Sequence, residues 1–303
     1  MALTRVADRL SAVDDQNLTR LGFHADDRRD VALAIRRALG EPAVLARVQL
    51  VADQLGRQIG KFEGNTDPFA IPNDFDELDP EVLDKEWGVG ILPLLALLAT
   101  ADDVAAFHAA RGIDPAISTA SLSDLGQQAW VHRRTFDGFG LHTYGWMRIA
   151  WSGALYWLGR LQFNLTRYQD EWVVSTHIPE SGPLTPQACA DSFRRARAFF
   201  AEHFPEHPTT RFHCDSWLLD PQLVDVLEPG SNMVKFQQLW QLDGRQRDGD
   251  GDALFFVFRR RGEVDVDTLP QDTSLQRAIV AKIRSGGHWH VCAGTFDQDR
   301  FAG

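Results

Sequence analysis

The run HIPESGPLTP, from His177 to Pro186, closes an apolar strand-like segment, crosses a short turn containing Gly182 and opens into a helix. A strand, a glycine turn and a helix N-terminus are the parts from which anion sites are made, because the first amides of a helix lack intrahelical acceptors and sit at its positive end. Thr185 followed by Pro186 is a strong helix start: a hydroxyl N-cap, then proline where its missing N–H costs nothing. Behind it Cys189, Phe193, Ala196 and Phe200 form an apolar stripe, with Arg194, Arg195 and Arg197 on the more polar side. A second constellation belongs to another chemistry. His213-Cys214-Asp215 is an H-x-D, His290 lies downstream and Arg300 follows. Two histidines and a carboxylate can hold non-haem iron on one face, with the arginine taking a 2-oxoacid.

Composition narrows the field. The chain has 303 residues, room for two ordinary domains, and is 44% hydrophobic and 24% charged, as soluble globular proteins are. A net charge of -11 argues against a general nucleic-acid binder, which needs a basic face, but leaves room for a small anion held by local arginines or amides. Three widely spaced cysteines, Cys189, Cys214 and Cys292, suit a reducing compartment. The N-terminus has no secretory signal pattern, and the longest uncharged run, Trp87 to Ala101, spans 15 residues with Pro93 inside it, too short for a membrane span. The expectation is a cytoplasmic protein without membrane or nucleic-acid partners.

The elements that must position these groups fall into two textures. Up to about residue 155 the pattern is helical. Val31, Ala34, Ile35, Ala38 and Leu39 share a stripe that ends at Gly40, Val44, Val48, Leu55 and Ile59 share another, and further helices are predicted over Pro80–Ala99, Ala101–Ala110 and Leu122–Arg133. Gly64 to Pro80, rich in Pro, Asp and Asn, reads as a long loop. An aromatic stretch, Tyr144, Trp146, Trp151, Tyr156 and Trp157, is expected to form core at the domain junction, with one or two rings reaching a cleft. After residue 158 strand period begins. Strands are predicted at Arg160–Tyr168, Trp172–Ile178, Arg211–Trp217, Met233–Leu242, Ala253–Arg259 and His288–Ala293. A hairpin turn is predicted at Tyr168–Glu171, and helices follow the SGPL turn and cover Pro221–Leu227 and Thr273–Ile283. Asp243–Asp252 reads as a polar hairpin loop whose acidic spacing does not fit a calcium loop.

The segments HIPESGPL, SFRRARAFFAEHFPE, CDSWLLDPQL, SNMVKFQ and LPQDTSLQRAI resemble bacterial two-domain GNAT-like acyltransferases, best between Leu155 and Ala293. The resemblance implies an α+β fold: a helical N-terminal domain over residues 1–155 and a GNAT-like mixed α/β domain over residues 156–303. It implies that Trp172–Ile178 splays from its neighbour and that the following turn wraps the pyrophosphate of acyl-CoA. The cofactor residues would be Ile178, Glu180, Ser181, Gly182, Leu184, Thr185 and Arg194. The turn departs from the family pattern R/Q-x-x-G-x-G/A: Pro179 stands at the Arg/Gln position, Leu184 replaces the second glycine, and Pro183 has no N–H.

Acyl transfer to an amine needs a base, an acid for the leaving thiolate and a donor for the thioester oxygen. His177, Glu180, His213 and Asp215 are candidates near the cleft. His177 and Asp215 form the better pair, because both precede loops where the strands should diverge, and Tyr168 could serve as the acid. The reading is therefore an N-acyltransferase moving an acyl group from acyl-CoA to a small-molecule amine bound between the domains, with no metal. The alternatives are a non-catalytic GNAT-like binding module and the iron oxygenase using His213, Asp215 and His290. The oxygenase suffers because SWLLDPQLVDVL after Asp215 reads as helix where a jelly roll would continue with strands.

Overall fold

The computed structural model describes residues 2–62 and 86–301, and the chain divides into two compact units, Met1–Trp157 and Leu158–Gly303. The loop expected at Gly64–Pro80 lies outside the described residues.

The described part of the first unit is helical until its last residues: α1 (Ala2–Ser11), α2 (Asp15–Arg20), α3 (Ala25–Leu39), α4 (Pro42–Gln58), α5 (Ile91–Ala110), α6 (Pro115–Leu122), α7 (Asp124–Phe136) and α8 (Tyr144–Trp151). On α3 the buried apolar positions Val31, Ile35 and Ala38 repeat at helical spacing, and on α4 Val44, Val48, Val51 and Leu55 do the same. These stripes pack around α5, whose Leu94 to Ala99 are buried on every side. Two helices were expected where α5 runs unbroken. Pro93 does not interrupt it, because it sits in the first turn, where a missing N–H removes no hydrogen bond. By length and composition alone α5 could cross a membrane, but most of it is buried in the protein, as a core helix is.

One close approach fixes α7. A Cβ at Gly126 would stand 2.0 Å from the Gly22 carbonyl carbon, and the Gly126 amide donates to Leu21 O at 2.9 Å. The aromatic stretch is core of this unit: Trp151 and Tyr156 are fully buried, with Trp151 Nε1 donating to Leu97 O (3.0 Å) and Tyr156 Oη to Gly153 O (2.7 Å).

The second unit is built on a mixed sheet of order β1-β2-β3-β4-β6-β5, from β1 (Leu155–Leu158), β2 (Leu161–Tyr168), β3 (Glu171–His177), β4 (Arg211–Ser216), β5 (Gln241–Asp248) and β6 (His290–Asp297). The unit boundary falls inside β1. β2 and β3 are antiparallel, turning at Gln169 (φ 49°) and Asp170 (φ 64°), the two left-handed residues that match the strands' twist. A crossover through α9 (Pro186–His203) makes β4 parallel to β3, and β4 and β5 each pair antiparallel with β6. One face of the sheet is apolar and faces α9. There the Phe193 ring meets Phe163 (5.6 Å), Phe212 (4.9 Å) and Phe296 (5.0 Å) between centroids. The other face carries Gln162, Asn164, Thr166, Ser175 and His213, all buried.

Three predicted elements are corrected. Met233–Leu242, read as a strand, holds α10 (Asn232–Gln237), started by Ser231, whose Oγ accepts from Val234 N at 3.3 Å. Ala253–Arg259 is not a strand but most of α11 (Asp250–Phe258), because an unbroken apolar run carries no periodicity to separate helix from strand. Asp250 and Asp252 favour its N-terminus, and Arg259 ends it in the left-handed region (φ 56°). Asp243–Asp252, read as a loop, is instead most of β5 and the start of α11. Every residue of β5 is exposed, so its pairing with β6 left no apolar alternation to read. The helix α12 (Ser274–Arg284) closes the unit with a Thr273/Gln276 capping box.

Phe193→Ala should lower the unfolding free energy by about 3–5 kcal/mol in a urea titration, since its ring fills the space between α9 and three strands.

Candidate functional site

Strands β3 and β4 pair only at Val174/Phe212 and Ser175/His213. His177 and Asp215 lie two residues beyond the last pair, one on each strand, so their backbone edges face a gap. His177 Nε2–H donates to Asn164 Oδ1 (2.6 Å), which leaves the imidazole's basic lone pair on Nδ1. Burial, with a smaller push from His213, lowers the His177 pKa to about 3, so the ring is neutral at neutral pH. Two residues upstream on the same face, Ser175 Oγ and His213 Nδ1 stand 3.2 Å apart, and His213 Nε2 is buried without a hydrogen-bond partner among the described residues. Burial first, then the Arg245 charge, lowers the His213 pKa to about 4.

The Tyr168 ring lies on His213, 4.1 Å between centroids, while its hydroxyl donates to Asp243 Oδ2 and Arg245 sits 4.5 Å over its face. Asp243 and Arg245 belong to the β5 irregularity between Leu242 and Gln246, which brings an edge strand to Tyr168. Burial, and then the bond to Asp243, raises the Tyr168 pKa. The phenol proton is thus directed to Asp243. Tyr168 therefore packs on His213 while its hydroxyl bonds Asp243 on β5.

Downstream of β3 the chain forms the predicted turn. Thr185 Oγ1 accepts from Ala188 N (3.3 Å) and caps α9, with Pro186 at its first position. Gly182 adopts φ 117°, a backbone that side chains rarely take, and nothing crowds the position of its missing Cβ. The amides of Gly182, Leu184, Thr185 and Gln187 have no intramolecular partner among the described residues. Arg160 reaches into the turn from the β1–β2 connection. Its Nη1 donates to Pro179 O (2.8 Å) and Ser181 Oγ (3.2 Å), and its Nε to Gly182 O (3.0 Å) and Pro183 O (3.3 Å).

The remaining sequence candidates stand elsewhere in the network. Glu180 pairs with Arg259, which is the cap residue of α11. Arg194 pairs with Asp191 one turn back on α9; eight residues into the helix, it is about 12 Å along the axis from Pro186. Asp215 is half exposed, 3.9 Å from Arg247, which also holds Asp252 at 3.3 Å. The iron set is not assembled. His213 faces Ser175, His290 pairs with β5 and has Nδ1 3.6 Å from Asp220, Arg300 donates to Leu239 O, and no group of three potential metal ligands forms among the described residues. Arg160, Asn164, Ser175, Asp243 and Arg245 were not singled out from sequence. Only their distant partners give them roles.

A mixed sheet in which a parallel pair opens beside a glycine turn and a capped crossover helix defines a GNAT-like domain, the class of acyl-transferring enzymes. The family models agree: an N-acyltransferase N-terminal domain matches residues 15–153 and a GNAT-like C-terminal domain matches residues 155–296. Among solved structures, an acyltransferase in complex with decanoyl-CoA and teicoplanin is 30% identical, with TM-score 0.75 over 98% of this chain and 100% of that one. An acyltransferase mutant in complex with octanoyl-CoA is 29% identical, with TM-score 0.75 over 98% of this chain and 99% of that one. A third, with CoA and 10C-teicoplanin, is 29% identical, with TM-score 0.75 over 98% and 100% of the two chains. The comparison with curated proteins gives no match. The chain belongs to the two-domain family of GNAT-like N-acyltransferases, and it is an acyltransferase.

Burial depresses both site histidines, so the unfolded chain binds more protons than the folded one between their folded pKa values, about 3 and 4, and the ordinary histidine value of 6.5. Stability therefore rises with pH across that window and is lost as pH falls through it. His108 and His132 of the first unit, each lowered to about 4 by burial, act in the same direction. Urea titrations from pH 7 to pH 4.5 should show a falling unfolding free energy, with a shallower slope for His213→Gln.

Proposed function

We propose that the protein transfers an acyl group from acyl-CoA to the amine of a small-molecule acceptor. The observation that carries this reading is the opening of β3 from β4 at His177, directly upstream of a turn whose amides at Gly182, Leu184, Thr185 and Gln187 have no partner among the described residues. The donor's diphosphate sits against the amides of Gly182, Leu184, Thr185 and Gln187 at the start of α9. Its pantetheine arm enters the gap, where unpaired strand edges offer the hydrogen bonds that β3 and β4 no longer give each other. The thioester then lies near His177 and Asp215.

His177 is the base. Its neutral Nδ1 accepts the proton as the amine nitrogen attacks the thioester carbon. The new C–N bond forms, the C–S bond breaks, and the thiolate of coenzyme A leaves with the proton returned to it. The bond from Nε2 to Asn164 fixes the tautomer and the ring plane. Asp215 is half exposed across the gap and accepts a hydrogen bond from the neutral acceptor amine, orienting its lone pair toward the thioester. The solved neighbours carry octanoyl-CoA, decanoyl-CoA and teicoplanin, which supports a medium-length acyl chain and a glycopeptide amine as the acceptor class. A cytoplasmic setting, where acyl-CoA is made, fits three buried cysteines that are all free thiols.

Release of free thiol from decanoyl-CoA, with mass analysis of an amine-bearing glycopeptide acceptor, tests the reading. His177→Asn should lower kcat about 100-fold or more while leaving the decanoyl-CoA KM near the parent value. An unchanged kcat would place the base on another residue, and no acylated product with any amine would remove the reading.

A further inference from the structure

The turn after β3 has too few donors for the role it is given. Pro179 and Pro183 carry no N–H, Ser181 N is spent on Pro179 O (2.9 Å), and Ala188 N is spent on the Thr185 cap. What the turn has instead is Arg160 packed inside it. Each acceptor of that guanidinium is neutral: three backbone carbonyls and one hydroxyl. No carboxylate pairs with Arg160 among the described residues, although the chain has an excess of eleven acidic groups (42 Asp and Glu against 31 Lys and Arg). The group is half-buried, and burial pushes its pKa down, the mark of a cation short of counter-charge. Such a charge is costly to bury unless an anion completes it.

The hydrogen bonds also set the direction of the peptide units. In a trans peptide the C=O and the next N–H point opposite ways. Drawing Pro183 O inward to Arg160 therefore turns Leu184 N–H away from the guanidinium. The backbone amide of Arg160 is fixed as well: it donates to Ser192 Oγ (2.8 Å), and that hydroxyl donates to Ala188 O (2.9 Å) in the first turn of α9. One residue ties the β1–β2 connection, the turn and the first turns of α9 together, with its charge inside the turn.

We propose that Arg160 is the positioning residue for the donor's diphosphate, orienting the turn's amides and supplying the positive charge that the proline-containing turn lacks. The proposal rests on the acyl-CoA reading above. It separates two parts of the donor: the diphosphate and nucleotide, which lie over Arg160's turn, and the acyl-pantetheine arm, which lies in the gap.

Steady-state kinetics with decanoyl-CoA and with S-decanoyl-pantetheine, which has no diphosphate, tests it in the full chain. Arg160→Gln should raise the decanoyl-CoA KM about 10- to 100-fold with kcat unchanged, the size of one or two charge-assisted hydrogen bonds. The S-decanoyl-pantetheine kcat/KM should stay at the parent value, an outcome that a merely structural arginine would not give. Arg160→Lys keeps the charge without the fork and should fall between the two, and it carries the test if the glutamine variant does not fold. An equal loss on both donors, or an unchanged decanoyl-CoA KM, overturns the proposal. A parent enzyme that uses both donors equally well overturns it together with the diphosphate reading of the turn, which the parent measurement alone identifies.

Discussion

β3 and β4 exchange backbone hydrogen bonds around Val174/Phe212 and Ser175/His213 and then separate, and this short pairing organises the rest of the second unit. A parallel pair cannot be joined by a tight turn, so the chain must leave β3, cross the apolar face as α9 and return as β4. The crossover brings a helix N-terminus to the open end of the pair. Phe193, held among Phe163, Phe212 and Phe296, anchors α9 to the strands on both sides of the gap. Unpaired backbone would be a liability in a closed core. Beside the turn proposed to hold the donor's diphosphate, it offers hydrogen bonds to a ligand rich in amides.

The polar face of the sheet answers a second constraint. Burying Asn164, Ser175 and His213 removes hydration from groups that then need partners, and the partners here orient the imidazoles. Burial holds His177 neutral while Asn164 defines its tautomer, and burial with the nearby Arg245 charge holds His213 neutral beneath Tyr168. A chain at -11 overall thus keeps a local excess of positive charge at Arg160, in the turn that adjoins the β3–β4 gap. The acidic surface and the anionic donor are compatible because the charge that matters is close and partly shielded from water.

How much of this could be read from sequence follows from the range of the interactions. Thr185-Pro186 announced the start of α9, and the alternation of Leu161, Phe163 and Leu165 announced β2, because caps and strand period are local. His177 and Asp215 were legible as strand-end residues for the same reason. Arg160 was not, since its partners lie about twenty residues on and are mostly carbonyls, which leave no trace in side-chain pattern. Tyr168's bond to Asp243 depends on the β5 irregularity, and β5 is entirely exposed and polar. The apolar run within Ala253–Arg259 reads as a strand from sequence because its helical identity comes from Asp250, Asp252 and packing with the α12 side of the core.

Hydrogen–deuterium exchange of the full chain, with and without decanoyl-CoA, tests the central claim that the β3–β4 opening and the turn after it form the donor site. Saturating decanoyl-CoA should slow exchange of the backbone amides across residues 176–187, with Gly182, Leu184 and Thr185 most affected. Protection confined to other segments, with residues 176–187 exchanging as in the free protein, would contradict it.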